Sequence, residues 1–178
     1  MKFKFRRILA ALPVIVLILS LLISCGDDKP VYSDMVYEEN GLRFVLPANM
    51  RRENAEGYDL YFSNLAIIFT AIELDEEFLE SKGIPTDTDA AGYIDFCIER
   101  NGMDRDQIYY LYEEEQMRHS FRYTYSEPDS IDLFYYVVVI GEPGNLWYIE
   151  MCCDYEDSGE LLSEFETWRK NIRTYEEG

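Results

Sequence analysis

The only histidine in the 178 residues, His119, is the side chain that any Ser-His-acid relay in this chain would have to use. No Gly-x-Ser-x-Gly elbow accompanies it to present a nucleophile. Alternation along its segment puts it on one face with Met117, Phe121, Tyr123 and Tyr125, which reads as a structural or rim histidine. Carboxylates are plentiful, 35 in all, with runs at Glu113-Glu114-Glu115 and across 154–157. A glycosidase needs two of them at a set separation across a cleft. Spacing along the chain does not supply that separation, and solvated faces and turns account for the runs as well. Asp87-Thr88-Asp89 echoes a calcium loop, but Ala91 and Ile98 stand where an oxygen ligand and the closing glutamate belong. Thr86, Thr88 and Asp89 also fit the start of a helix. Cys97, Cys152 and Cys153 with His119 have the elements of a zinc site. Neighbouring cysteines in a strand point to opposite faces, however, so the pair does not easily close on one ion. These residues nominate no catalytic side chain, no metal site and no cofactor. Fifteen tyrosines and ten phenylalanines remain. Tyr109-Tyr110-x-Tyr112 and Tyr135-Tyr136 put rings on both faces of their strands, as a binding face would and as strand propensity also would.

One residue does carry a chemical signature. Lys2, Lys4, Arg6 and Arg7 are followed by 17 uncharged residues, Ile8 to Ser24, rich in Leu, Ile and Val and broken by Pro13. Leu22-Ile23-Ser24-Cys25 comes next, then Gly26-Asp27-Asp28. A positive end, an apolar stretch, a small residue and a cut is the order of an export signal, with the basic end kept on the cytoplasmic side. Leu-Ile-Ser-Cys resembles the lipobox of bacterial lipoproteins. The resemblance implies diacylglyceryl transfer to Cys25 and cleavage before it. Residues 1–24 are then a signal peptide that is removed, 25–35 a lipid anchor and short tether, and 36–178 a single acidic domain. An uncleaved spanning helix is the alternative, since the apolar run is at the lower length limit for crossing a bilayer. Two acyl chains hold stably where one holds marginally. A tether of ten extended residues reaches at most about 35 Å, so the domain stays near the membrane.

Residues 1–24 carry four of the 16 basic residues and none of the 35 acidic ones, which leaves 12 against 35 and a net charge of −23. Such a surface excludes nucleic acid as a partner, because phosphate neutralisation needs Lys and Arg. It equally disfavours electrostatic docking on anionic lipid. Solubility by self-repulsion, a basic partner and weak divalent cation binding all suit it. About 150 residues, half of them apolar, suffice for one domain with a real core.

The elements that must position these groups follow from periodicity. Val31–Glu39 and Leu42–Leu46 flank Asn40-Gly41, a two-residue hairpin signal. Tyr58–Phe62 and Leu65–Leu74 form a second strand pair, the latter apolar on both faces as a central strand is. A short helix fits 75–81. Ala90, Tyr93, Ile94, Cys97 and Ile98 make a helical stripe that Asn101-Gly102 stops. Strands return at 108–113, 116–125, 131–140 and 146–154, with a turn at 127–129. A last helix from about Gly159 to Tyr175 buries Leu161, Leu162, Phe165, Trp168 and Ile172, with Asp157 and Glu160 as a capping box. In the strand 146–154, alternation sets Cys153 inward and Cys152 outward. Cys97 lies mid-stripe on a helix that covers the sheet. The two are a candidate disulfide, Cys97 to Cys153, in an oxidising compartment; two buried thiols that merely pack is the other reading.

The order predicts an α+β fold: an antiparallel sheet of about six or seven strands packed with two main helices. Gly-Leu-Arg-Phe-Val-Leu-Pro-Ala-Asn-Met at 41–50, a late strand ending Leu-Trp-Tyr-Ile-Glu and a closing amphipathic helix resemble PsbP/Mog1-like domains across residues 31–175. That resemblance implies accessory and scaffold roles, some membrane-tethered, and no shared chemistry. The expected function is a lipid-anchored module on the outer face of the cytoplasmic membrane or in the cell envelope. It would bind an envelope protein or extracellular ligand without being an enzyme. A carboxylate- or histidine-dependent hydrolase is the alternative. Cys25→Ala should abolish lipidation and processing, moving the protein out of the membrane fraction as read by fractionation and mass spectrometry. An unmodified Met1–Ser24 segment on the mature wild type would refute the anchor.

Overall fold

The computed structural model describes residues 33–114, 117–126 and 130–175. The expected export signal, Cys25, the expected tether up to residue 32, Glu115 and the turn expected at 127–129 lie outside the described residues.

Strands β1 (Asp34–Glu39) and β2 (Leu42–Pro47) pair antiparallel across the expected Asn40-Gly41 turn. Both turn residues have positive φ, 52° and 77°, the turn whose twist suits a two-residue hairpin. In β2, Leu42, Phe44 and Leu46 are fully buried and alternate with Arg43, Val45 and Pro47. The hairpin does not extend the main sheet. A two-residue β10 (Arg173–Thr174) pairs with Arg43 and Leu42, making a separate three-stranded sheet.

The second sheet has seven antiparallel strands in the order β3 (Arg51–Arg52), β4 (Leu60–Ser63), β5 (Ile67–Leu74), β9 (Asn145–Asp154), β8 (Leu133–Glu142), β7 (Arg118–Tyr125), β6 (Tyr109–Glu113). Hairpin β8–β9 closes tightly. Gly141 has φ 119°, and a Cβ there would lie 2.2 Å from the Asn145 carbonyl oxygen, so only glycine fits. β9 is the middle strand. Leu146, Trp147, Ile149, Met151, Cys152 and Cys153 are all buried along it, from both faces.

Each face has its own cover. On one, Trp147, Ile149, Met151 and Cys153 join Phe62, Phe69, Val138 and Ile140 beneath β2 and helix α3 (Ser158–Asn171), through Phe165, Trp168 and Ile172. On the other, Leu146, Val137, Val139 and Phe121 meet α1 (Glu76–Lys82) and α2 (Ala90–Arg100), whose stripe Ala90, Tyr93, Ile94, Cys97 and Ile98 is the expected one. The α+β class is borne out; α1 is the short helix expected at 75–81, and a second sheet is added. Among the described residues no helix is long and apolar enough to cross a membrane.

Two local expectations are corrected. Asp157 makes no side-chain cap bond and has helical backbone angles, because a 3-10 turn at Tyr155–Asp157 leads straight into α3 and removes the extended geometry a cap needs. The candidate disulfide is not formed: Cys97, Cys152 and Cys153 are free and buried. Cys153 belongs to the α3 side of the sheet and Cys97 to the α2 side, so the sheet itself separates them. β9 has two covered faces, so an inward-facing Cys153 and an inward-facing Cys97 need not share one core.

Helix α3 is also pinned by charge. Arg118 on β7 and Arg169 on α3 are 1% and 2% exposed. Both reach Glu113 Oε2, at 3.0 and 2.6 Å, and Arg169 also pairs with Glu166 at 3.1 Å. Arg118 donates to the Ile172 carbonyl, 3.1 Å away. Burying these guanidinium groups is tolerable because carboxylates and a backbone oxygen meet them. Phe165, with no exposed surface, packs on Tyr136, Phe134 and Trp168. Phe165→Ala should therefore cost about 3–5 kcal/mol, measured by chemical denaturation; a variant as stable as wild type would make α3 peripheral.

Candidate functional site

The cross-strand register sets Tyr61, Thr70, Glu150, Val137, Phe121 and Tyr110 in one row across the seven-stranded sheet, on the face that α2 covers. Glu150 thus sits on the central strand between Thr70 on β5 and Val137 on β8, both buried. Tyr148, two residues before it on the same face, donates its hydroxyl to Glu150 Oε1 at 2.5 Å. Tyr123 hydrogen-bonds to the same carboxylate. Burial pushes the Glu150 pKa above the usual carboxylate value, and these two hydrogen bonds only partly oppose it. Among the described residues no lysine or arginine forms an ion pair with it, whereas Glu113 holds two arginines on the far side of the sheet.

Glu150 is not sealed in. It lies at the base of a cleft of about 750 Å³ walled by Asn101–Asp104, Ile108, the end of β7 from Tyr123, and Tyr135. A second recess of about 240 Å³ shares Tyr135 and Glu150 and adds Tyr58, Tyr61, Thr70 and Cys152. The opening follows from local sequence. Asn101-Gly102 stops α2: Gly102 has φ 62°, and the Met103 amide returns to the Ile98 carbonyl at 3.0 Å. Beyond that point the sheet has tyrosines in place of a helical cover. Tyr123 and Tyr135 stack with centroids 4.8 Å apart and planes 4° from parallel. Tyr58 and Tyr61 flank the other recess, 6.0 Å apart.

The groups around the cleft hold their protons. Burial raises the Tyr123, Tyr135, Tyr148 and Tyr93 phenols, with the nearby Glu150 charge adding to it. Burial likewise pushes the Cys97 thiol up to about 12 and the Cys152 thiol up to about 11. Such phenols are hydrogen-bond donors, and such thiols are poor nucleophiles at neutral pH.

The residues singled out from sequence go elsewhere. His119 lies one row away, hydrogen-bonded to the Tyr110 hydroxyl and 4.3 Å by centroid from the Tyr112 ring; burial lowers its pKa. Asp89 Oδ1 accepts from the Gly92 amide at 2.8 Å, which is the helix cap read from sequence as the alternative to a calcium ligand. Glu113 is an arginine clamp. Cys25 lies outside the described residues. Sequence reasoning did not single out Glu150, which enters there only as the end of the late-strand pattern Leu-Trp-Tyr-Ile-Glu. The available signal was a lone charge inside Leu-Trp-Tyr-Ile-Glu-Met-Cys-Cys, a run otherwise able to bury both faces.

No protein-family model matches the chain, and no curated protein sequence does. Solved structures do. The solution structure of PsbP (CyanoP) from the cyanobacterium Synechocystis sp. PCC 6803 superposes with TM-score 0.58 at 17% identity, over 85% of this chain and 97% of that one. The fold is PsbP-like. The Ran-binding protein Mog1p of Saccharomyces cerevisiae follows at TM-score 0.47 and 9% identity, over 81% and 96% of the two chains. LpqN of Mycobacterium tuberculosis, described as involved in cell envelope biogenesis, gives 0.49 and 11%, over 81% and 92%. At such identities a PsbP-like fold carries no residue roles across, so the cleft must be read from its own side chains.

The raised carboxylate has a consequence for stability. Its pKa is higher folded than unfolded, so protonation of Glu150 favours the folded state. That contribution is complete below the unfolded value and is lost as pH rises through the folded one. Glu150→Gln should therefore melt above wild type at neutral pH, the gap closing as pH falls into the carboxylate range. Thermal melts across that range decide it; a variant that melts lower at neutral pH would show the ionised carboxylate to be a structural asset.

Proposed function

We propose that this protein is a lipid-anchored extracytoplasmic binding module that captures a ligand in the Glu150 cleft and does not turn it over. The address rests on the basic start, the apolar run and the lipobox-like Leu22-Ile23-Ser24-Cys25. The binding role rests on one observation: a cleft with a carboxylate at its base and a ring of tyrosines whose hydroxyls stay protonated. Such a site offers ring faces, donors and one anionic acceptor, which is recognition chemistry. The chemistry of turnover is poorly served. The thiols are held as thiols, and His119 is not among the residues lining the cleft.

The hydrolase reading retains one point in its favour, since Asp104 lines the same cleft as Glu150. Asp104, however, is exposed, and its carboxylate is engaged by the Asp106 amide at 3.0 Å, capping a turn of 3-10 helix.

The test is a thermal-shift panel on the full chain in detergent, spanning amines, oligosaccharides and short peptides, with turnover assayed for every compound that binds. One class should raise the Tm of the wild type, with the shift lost in Tyr135→Ala. A flat panel would remove the cleft as a binding site. Turnover that disappears in Glu150→Gln would make the protein an enzyme.

A further inference from the structure

The cleft leaves Glu150 in an unusual position for an acid. It sits mid-row on the middle strand of a seven-stranded sheet, between buried Thr70 and Val137, with two phenol hydroxyls as hydrogen-bond partners. A carboxylate offers about four lone-pair directions, so two remain after Tyr148 and Tyr123. The other buried acid–base cluster of the fold supplies the contrast: Arg118 and Arg169 are buried against Glu113 and Glu166. This chain matches buried charge where it has both partners, and at Glu150 the cation is absent from the described residues.

The surroundings favour a positive guest. Aromatic faces carry negative charge density and attract cations, more strongly where water is excluded. Tyr123, Tyr135, Tyr58 and Tyr61 line the two recesses that meet at Glu150. The cleft opens beyond the C-terminal end of α2, the negative end of its dipole. The whole chain carries a net charge of −19, which concentrates cations near its surface and repels anions.

The kind of cation is narrowed by the donors. A hard metal ion wants several anionic or carbonyl oxygens. Among the described residues no group of three His, Cys, Asp or Glu side chains is placed to hold one, and the phenols keep their protons. A planar guanidinium has no slot between Tyr123 and Tyr135, whose centroids are only 4.8 Å apart. A compact ammonium head can donate to the free lone pairs of Glu150 while its alkyl stem lies along the rings.

Resting on the cleft as the binding site, we infer that its ligand presents an alkylammonium group, with Glu150 as counter-ion and Tyr135 as the aromatic wall. The head donates N–H bonds to the Glu150 carboxylate, and the stem covers the Tyr123–Tyr135 stack. A free amine and a lysine side chain share this chemistry.

The experiment is ligand-observed NMR and calorimetric titration of the full chain in detergent, in about 0.15 M NaCl so that general surface attraction is screened. The probes are 1,5-diaminopentane, a Gly-Lys-Gly peptide, pentane-1,5-diol and CaCl2. One or both amines should bind, with affinity reduced about tenfold or more in Glu150→Gln and several-fold in Tyr135→Leu. Glu142→Gln, at an exposed acid remote from the cleft lining, should leave it unchanged. Preference for the peptide over the diamine would mark a lysine side chain as the source, and the reverse a free amine. Equal binding to wild type and Glu150→Gln would overturn the inference by assigning the affinity to surface charge. Diol binding as strong as diamine binding, or Glu150-dependent binding of Ca2+ in place of the amines, would overturn the cation class while leaving the cleft as a binding site. No binding of any probe, together with a flat thermal-shift panel, would overturn both. The folded state of each variant is checked by its melt, and Glu150→Gln is expected to be at least as stable as wild type at neutral pH.

Discussion

Strand β9 is apolar on both faces, and the rest of the domain is arranged around that one constraint. A strand with six buried residues in ten cannot lie at an edge or present a face to water. It takes the centre of the sheet, with β5 and β8 as its partners along almost its full length. Two covers are then required. The hairpin and α3 provide one, and α1 with α2 the other. The Asn40-Gly41 turn, the helix stripes and the C-terminal return of β10 all serve to bring apolar surface over this strand.

The two covers differ in completeness, and that difference creates the site. On the α3 side, β2 and the helix together close the face, and the Arg118–Glu113–Arg169 cluster locks the helix end to β6 and β7. On the α2 side, an eleven-residue helix spans only about 16 Å. The helix stops at Asn101-Gly102, and the sheet beyond it is finished with tyrosines. Tyrosine suits that place because its ring tolerates burial while its hydroxyl needs a polar partner. For Tyr123 and Tyr148 the partner is Glu150, and for Tyr135 it is Cys152. The Glu150 charge is held in surroundings that raise its pKa, as buried carboxylates at functional positions commonly are.

Much of this architecture was legible in the sequence. Element types, the helix stripe from Ala90 to Ile98, the hairpin turn, the buried face of α3 and the α+β class follow from local periodicity and turn chemistry, which depend on neighbours a few residues apart. So did the place of His119 on the apolar face of its strand. The lipobox-like pattern that ends at Cys25 is likewise made of contiguous residues and needs no tertiary contact to be seen.

What the tertiary structure alone decided is which face each residue meets. Cys97 and Cys153 both looked inward from sequence, yet lie on opposite sides of one sheet, because alternation tells two faces apart without saying what covers each. Arg118 alternates with the His119 face of β7 and is almost completely buried all the same, since β7 too is covered twice. Glu150 stood in the sequence as one of 35 acids. Only the register of seven strands places it mid-sheet between Thr70 and Val137, and only the early end of α2 opens it to solvent. Pairing partners more than twelve residues apart set that environment, and no local pattern records them.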